Sequence, residues 1–220
     1  MTIKCFMFDV YGTLFNVRSI DEQINHFAPG HGEAVGALWR KKQVEHAFLR
    51  QLTETYKPFS EITEEALYYA AAAYEQTLTE TEAASCLEAY KKLAVYPEVP
   101  PVLDRLKDFQ LAVVSNGSRD MLEPLVQHST VAPYVNHIIS ADDIQVYKPN
   151  EKPYIYALET LNVKPSEALF VSGNSWDILG AHTAGLKTAW VNRGNGPFEF
   201  AGFTPDDTMT ELDGLLRWVW

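Results

Sequence analysis

Two hydrophobic periods follow one another along this chain, and their order predicts its architecture. Short apolar runs at Lys4–Phe8, Leu111–Ser115, His137–Ser140, Ala168–Ser172 and Thr188–Asn192 have the length and flanking turn residues of buried strands. Helical stretches separate the later ones, at Met121–His128, Lys152–Leu161 and Asp177–Ala184. Strands alternating with helices predict an α/β fold, a parallel sheet with helices on both faces. The strand ends Asp9, Ser115 and Ser172 would then share the carboxyl edge of the sheet, where open α/β sheets bind ligands.

Between Phe15 and about Tyr96 the pattern changes. Glu33–Leu52 carries apolar residues at Val35, Leu38, Trp39, Phe48, Leu49 and Leu52. Thr63–Leu78 and Glu82–Leu93 also read as helices, the first opening on a Thr63-Glu64-Glu65-Ala66 N-terminal signal. No strand signal falls in this region, and Pro97, Pro100 and Pro101 mark the return to the α/β pattern. The expected division is a core domain of residues 1–15 and 97–220 and an inserted all-helical cap of residues 16–96. Such a cap would lie over the carboxyl edge and exclude water from it. The alternative is that these helices are part of one compact core.

Composition narrows the function. The chain has 220 residues, 46% hydrophobic and 21% charged, which suits one domain or two small ones with a substantial core. Eighteen Lys and Arg against 29 Asp and Glu give a net charge of −11, which argues against a nucleic-acid or anionic membrane surface. A small anionic substrate is still compatible, because local Lys and Arg can reverse the potential inside a cleft. The two cysteines, Cys5 and Cys86, are far apart and lack metal spacing, so a reducing compartment is expected rather than a disulfide framework. No stretch approaches the length of a membrane span, the N-terminus does not read as a signal peptide, and the expected location is cytoplasmic.

Four segments carry chemistry. In Phe6-Met7-Phe8-Asp9-Val10-Tyr11-Gly12-Thr13-Leu14 a single acid stands where a buried strand ends, the setting of a carboxylate nucleophile. Leu111-Ala112-Val113-Val114-Ser115-Asn116-Gly117-Ser118 is a strand ending in a hydroxyl and an amide. Tyr147-Lys148-Pro149 places a Lys before a helix, and Phe170-Val171-Ser172-Gly173-Asn174-Ser175-Trp176-Asp177 is a strand leading to one acid. An anionic substrate brought to Asp9 in a water-poor site needs a compensating cation, and Lys148 is the obvious one. Ser115 can bond the substrate's carboxylate, and Thr13 can hold the nucleophile or its loop.

In this order the four segments resemble the motifs of the haloacid dehalogenase-like hydrolases, which implies a Rossmann-like core with an inserted cap. Most members of that superfamily are magnesium-dependent phosphatases with a second Asp where this chain has Tyr11 and an acid where it has Asn174. A hard cation favours carboxylates, so the ion site looks dismantled, and neither metal nor cofactor is expected. Halide leaving from carbon needs no proton, only a positive or hydrogen-bonding cradle.

Arg40, in Leu38-Trp39-Arg40-Lys41-Lys42-Gln43, resembles the Arg that does this in the L-2-haloacid dehalogenases. Asn116 resembles their halide-side amide; Tyr11, Leu14, Phe59 and Trp176 resemble the substrate wall; and Tyr154 resembles an active-site Tyr, with Tyr156 as its near rival. Where this chain has Gly173 the family commonly has Ser. The resemblance implies hydrolysis of short-chain (S)-2-haloalkanoic acids to 2-hydroxy acids with inversion, through an ester on Asp9. Water oriented by Asn174, Asp177 and Ser172 would resolve the ester, and the resemblance also implies a homodimer. The alternatives are a phosphatase acting on a small phosphoester and an inactive binding or regulatory member. Defluorination of fluoroacetate is a further variant.

Overall fold

The computed structural model describes residues 2–219. In chain order its elements are β1 (Cys5–Phe8), β2 (Phe15–Asn16), α1 (Asp21–Ile24), α2 (Gly32–Leu52), α3 (Phe59–Ala73), α4 (Glu80–Tyr90), β3 (Ala94–Val95), α5 (Val99–Arg105), β4 (Gln110–Ser115), α6 (Arg119–Gln127), β5 (His137–Ser140), α7 (Glu151–Leu161), β6 (Ala168–Ser172), α8 (Ser175–Thr183), β7 (Lys187–Val191) and β8 (Asp207–Met209). Six strands form one sheet in the order β5-β4-β1-β6-β7-β8. Every pairing in it is parallel. The chain builds outward from β1 through β4 and β5, then crosses back to β6, so the strand order switches at β1. Ligands bind at that place in open α/β sheets.

A parallel sheet covered on both faces needs strands that are apolar on both sides. In β1, Phe6 and Phe8 enter one apolar cluster while Cys5 and Met7 enter the other. Leu111 and Val113 alternate in the same way with Ala112 and Val114. The larger cluster continues without interruption from the sheet into the helices between β2 and β3, through Trp39, Phe59, Ala66 and Tyr90. No helix among the described residues is long and apolar enough to cross a membrane.

The helical insert departs from the sequence reading in four places. First, it is joined to the core by a small ribbon, since β2 and β3 pair antiparallel with Phe15 opposite Val95 and Asn16 opposite Ala94. Two residues per strand are too few to leave a periodic signal. Second, α3 begins at Phe59 behind Pro58, not at Thr63. The apolar stripe of Phe59, Ile62, Ala66, Leu67 and Ala70 carries the helix back past the supposed cap. Thr63 is an interior residue whose hydroxyl accepts from the Gln43 amide at 3.2 Å. Third, α3 stops at Ala73, before Glu75 takes a left-handed conformation, so the stretch to Leu78 is not helical. Fourth, α4 opens earlier than expected, on a Thr79–Glu82 capping box.

In the core, Pro100 and Pro101 open α5 rather than only breaking the chain, because proline in a first turn forfeits no helical hydrogen bond. The strand β8 escaped the sequence reading because it is a short, half-polar edge.

Candidate active site

The switch point brings four chain segments to one place. Beyond β1 the chain turns at Gly12, whose φ of +84° suits glycine and aims the following residues back over the strand end. Asp9 sits at the head of that turn, 3% exposed. Its Oδ1 accepts from the Lys148 ammonium at 3.0 Å. Its Oδ2 accepts from the Thr13 hydroxyl at 2.9 Å and from the Asn174 side-chain amide at 2.8 Å.

Lys148 has no exposed surface. Its ammonium spends all three protons inside the protein, on Asp9, on Asp177 at 2.8 Å and on the Val114 carbonyl at 2.8 Å. Asn116 holds the Lys148 backbone from both sides, its Oδ1 accepting from the N–H at 2.8 Å and its Nδ2 donating to the carbonyl at 3.0 Å. Both polar atoms of the amide expected beside the halide therefore also clamp the lysine. Asp177, buried like Lys148, accepts from Tyr154 at 2.6 Å on one oxygen and from Ser172 at 3.1 Å on the other. The Asn174 backbone N–H donates to Ser172 Oγ at 3.1 Å, so the fourth motif closes on itself.

The charges do not balance. One ammonium faces two carboxylates in a space with little water to screen them. Burial, with Asp9 adding repulsion, pushes the Asp177 carboxyl up to about 6 even though Lys148 pulls the other way. Burial alone would lower the Lys148 ammonium, but Asp177 and Asp9 together outweigh it and hold its pKa above the ordinary lysine value. Burial and the neighbouring Asp177 carboxylate hold the Tyr154 phenol well above its usual range, so it acts as a donor.

Above this cluster stands the face of α2. The Arg40 guanidinium lies 3.5 Å from the Tyr11 carbonyl oxygen and 5.6 Å from the centre of the Tyr11 ring. Asn174 donates to the same carbonyl at 3.1 Å. Tyr11 packs against Phe59 at 6.2 Å and Tyr90 at 5.4 Å between ring centres. Trp176 lies 5.9 Å from the Lys148 ammonium and meets Phe48 edge-on at 5.2 Å. Ser115 Oγ accepts from the Gly117 N–H at 3.1 Å, which leaves its own proton to donate. Leu14 is placed differently. It is fully buried in the hydrophobic cluster at the root of the insert, and its carbonyl accepts from the Tyr96 N–H.

The sequence reading did not include Val114, Phe48, Ser140 or Arg193 in this site. Val114 contributes only a carbonyl, which leaves no side-chain signal. Phe48 lies two turns beyond Arg40 on α2, and that spacing could have found it. Ser140 donates to the Gly117 carbonyl at 2.6 Å across the sheet, and Arg193 donates to the Thr13 carbonyl at 2.9 Å; pairing across the fold cannot be read from local pattern.

Comparison with known proteins gives the family. Residues 3–185 match the family described as haloacid dehalogenase-like hydrolase. The chain belongs to that family. Among its relatives, the (S)-2-haloacid dehalogenase of Pseudomonas sp. (strain YL) is 39% identical over 98% of this chain and 94% of its own. The haloacetate dehalogenase H-2 of Moraxella sp. (strain B) is 35% identical over 99% of this chain and 98% of its own. The L-2-haloacid dehalogenase of Xanthobacter autotrophicus, solved with chloropropionic acid covalently bound, superposes with a TM-score of 0.93. It is 33% identical and covers 99% of this chain and 98% of its own.

The magnesium ion that most haloacid dehalogenase-like hydrolases use does not fit the donors present here. A hard cation asks for oxygens that accept, in carboxylate-rich sets. At Asp9 those places are taken by an ammonium, a hydroxyl and an amide N–H, each of which donates. Tyr11 offers a ring packed among other rings in place of a second carboxylate. Gly173 also has a local reason in this member of the family. A Cβ there would stand 2.5 Å from the Gly12 carbonyl oxygen, so its absence lets the first and fourth motifs meet.

Proposed function

We propose that the chain is an (S)-2-haloacid dehalogenase, converting short-chain (S)-2-haloalkanoic acids to 2-hydroxy acids with inversion. One observation carries the reading above the others. The nucleophile Asp9 is held by Lys148, Thr13 and Asn174, with a guanidinium over its loop, an arrangement made for an anionic substrate and a departing anion. The relatives named above support the same reaction, and the Moraxella relative extends the expected substrates to haloacetates.

In this mechanism Ser115 and the loop N–H groups receive the substrate carboxylate, with Lys148 supplying positive charge. Asp9 attacks the halogen-bearing carbon from the side opposite the halide. The C–X electron pair leaves with the halide towards Arg40, with Asn116 on the same side. Holding the two reactants for in-line attack supplies much of the rate. Tyr11, Phe59 and Trp176 form the apolar walls, with Leu14 behind them, and residues 16–96 act as the cap that keeps bulk water out. Once the ester has formed, water held by Asn174, Asp177 and Ser172 attacks its carbonyl and frees the 2-hydroxy acid, while Tyr154 fixes Asp177. No step uses a metal or cofactor. A cytoplasmic homodimer is part of the same reading.

The test is halide release from the two enantiomers of 2-chloropropionate, with and without chelator, joined to a single turnover in heavy-oxygen water. Release from the (S) form that is indifferent to chelator, with label first in Asp9, is the expected result. Label appearing directly in product would defeat the ester mechanism, and activity lost on chelation and restored by magnesium would overturn the metal-free reading.

A further inference from the structure

Arg193, two residues beyond β7, meets three groups with one guanidinium. One terminal nitrogen donates to the Thr13 carbonyl at 2.9 Å, and the other pairs with the Glu98 carboxylate. Its flat face lies over the Tyr96 ring, 3.7 Å from the ring centre. These partners belong to the two places where the chain crosses between core and insert. Thr13 precedes β2, whereas Tyr96 and Glu98 follow β3, and the Tyr96 N–H donates to the Leu14 carbonyl at 3.0 Å. The side chains of Arg193 and Glu98 are only 20% and 19% exposed, so little water stands ready to replace either.

Thr13 is the link from this crossing to the chemistry. It is fully buried, its hydroxyl donates to Asp9 Oδ2 at 2.9 Å, and the same oxygen accepts from the Gly173 N–H at 2.8 Å. Its carbonyl is held by Arg193 and its hydroxyl by Gly173, so the two together fix where the hydroxyl proton points. That proton occupies a lone pair of Asp9 Oδ2 and thereby turns the carboxylate. We infer that Arg193 is a positioning residue for the nucleophile, setting Asp9 through Thr13 from the point where insert and core join. The inference rests on the aspartyl-ester reading. Lysine cannot take over fully, because a point charge on a flexible stem cannot lie flat on Tyr96 and serve a carbonyl and a carboxylate together.

Misdirecting a nucleophile slows attack without weakening substrate binding, and small displacements cost up to about a hundredfold. Single-turnover ester formation in Arg193→Met is expected to fall by about tenfold or more, with KM within about twofold, and Arg193→Lys is expected to recover part of the loss. The decisive comparison repeats Arg193→Met in a Thr13→Ala background, where the link is already cut and the second substitution should cost little more. Equal losses in both backgrounds, or a raised KM at unchanged kcat, would overturn the role. If Arg193→Met does not fold, Glu98→Gln loosens the guanidinium without removing it and is read in the same cycle. If the wild-type chain releases no halide, the proposed activity falls, and hydrogen–deuterium exchange then reads the positioning by itself. Faster exchange across residues 9–15 in Arg193→Met supports it, and unchanged exchange overturns it.

Discussion

At the scale of single residues, Lys148 has to serve two buried carboxylates with one positive charge, and the second carboxylate bears the consequence. Asp177, held up to about 6 by burial and by Asp9, must be ionised to accept from Lys148, Ser172 and Tyr154 together. Activity is therefore present above that value and lost as pH falls through it, and kcat is expected to show an acid limb near pH 6. Stability should run the other way. An acid whose folded pKa lies above its ordinary 3.8 holds its proton more tightly when folded, so its contribution declines as pH rises through that interval. Unfolding free energies of the wild type and Asp177→Asn, compared at about pH 4 and about pH 7, isolate this slope. A wild type that gains on the variant across the interval would contradict it.

Esterification removes the charge of Asp9 and with it one cause of the raised value. The acid limb of ester hydrolysis should therefore lie below that of ester formation when the two are measured separately. Asp9, Lys148 and Asp177 were legible in the sequence because each is a charged residue within a recognisable motif, Asp9 at a strand end, Lys148 in a loop and Asp177 in the first turn of α8. The Val114 carbonyl that takes the third lysine proton was not, since any residue would supply it.

At the scale of elements, local signals worked where a helix stands on its own stripe and failed where tertiary packing decides its ends. The helix α2 was read to within one residue, because its apolar positions repeat over five turns. The helix α3 was misplaced because Thr63 looks like a cap in sequence, whereas in the fold it is a buried partner of Gln43. The Thr79–Glu82 box caps α4 at the exposed surface, so Thr79→Ala should cost about 1 kcal/mol in denaturant unfolding and leave kcat unchanged. A larger loss, or any effect on turnover, would tie the start of α4 to the site.

The contact between α7 and α8 is less forgiving. A Cβ at Gly180 would stand 2.6 Å from the Tyr154 hydroxyl and 2.8 Å from the Pro149 carbonyl oxygen. Gly180→Ala should therefore push Tyr154 off Asp177, cost roughly 1–3 kcal/mol of stability as overpacked cores do, and slow ester hydrolysis more than ester formation. Equal slowing of both steps would show that Tyr154 does not act through Asp177. The ribbon of β2 and β3 and the edge strand β8 stayed hidden for a simpler reason. Two or three residues cannot display a period of two.

At the scale of the whole molecule, the order of strands was only half legible. Alternation of strands and helices predicted a parallel sheet, but which strands neighbour β1 follows from the crossover to β6, which no local pattern records. That crossover places the Asp9 loop between the loops of Ser115 and Ser172 and makes one site of three distant segments. Over it, Arg40 of the insert and Asn174 of the core both donate to one acceptor, the Tyr11 carbonyl. The guanidinium proposed to receive the departing halide is thus carried by one part of the molecule and referenced to another. On the mechanism proposed above, the freed halide stays paired with Arg40 until the insert lifts, which would make the last event of the cycle a mechanical stroke against solvent drag. Turnover with a good leaving group such as bromide should accordingly slow as a small viscogen thickens the medium, while single-turnover ester formation does not. A kcat indifferent to viscosity would mean that the ion escapes with the insert still down.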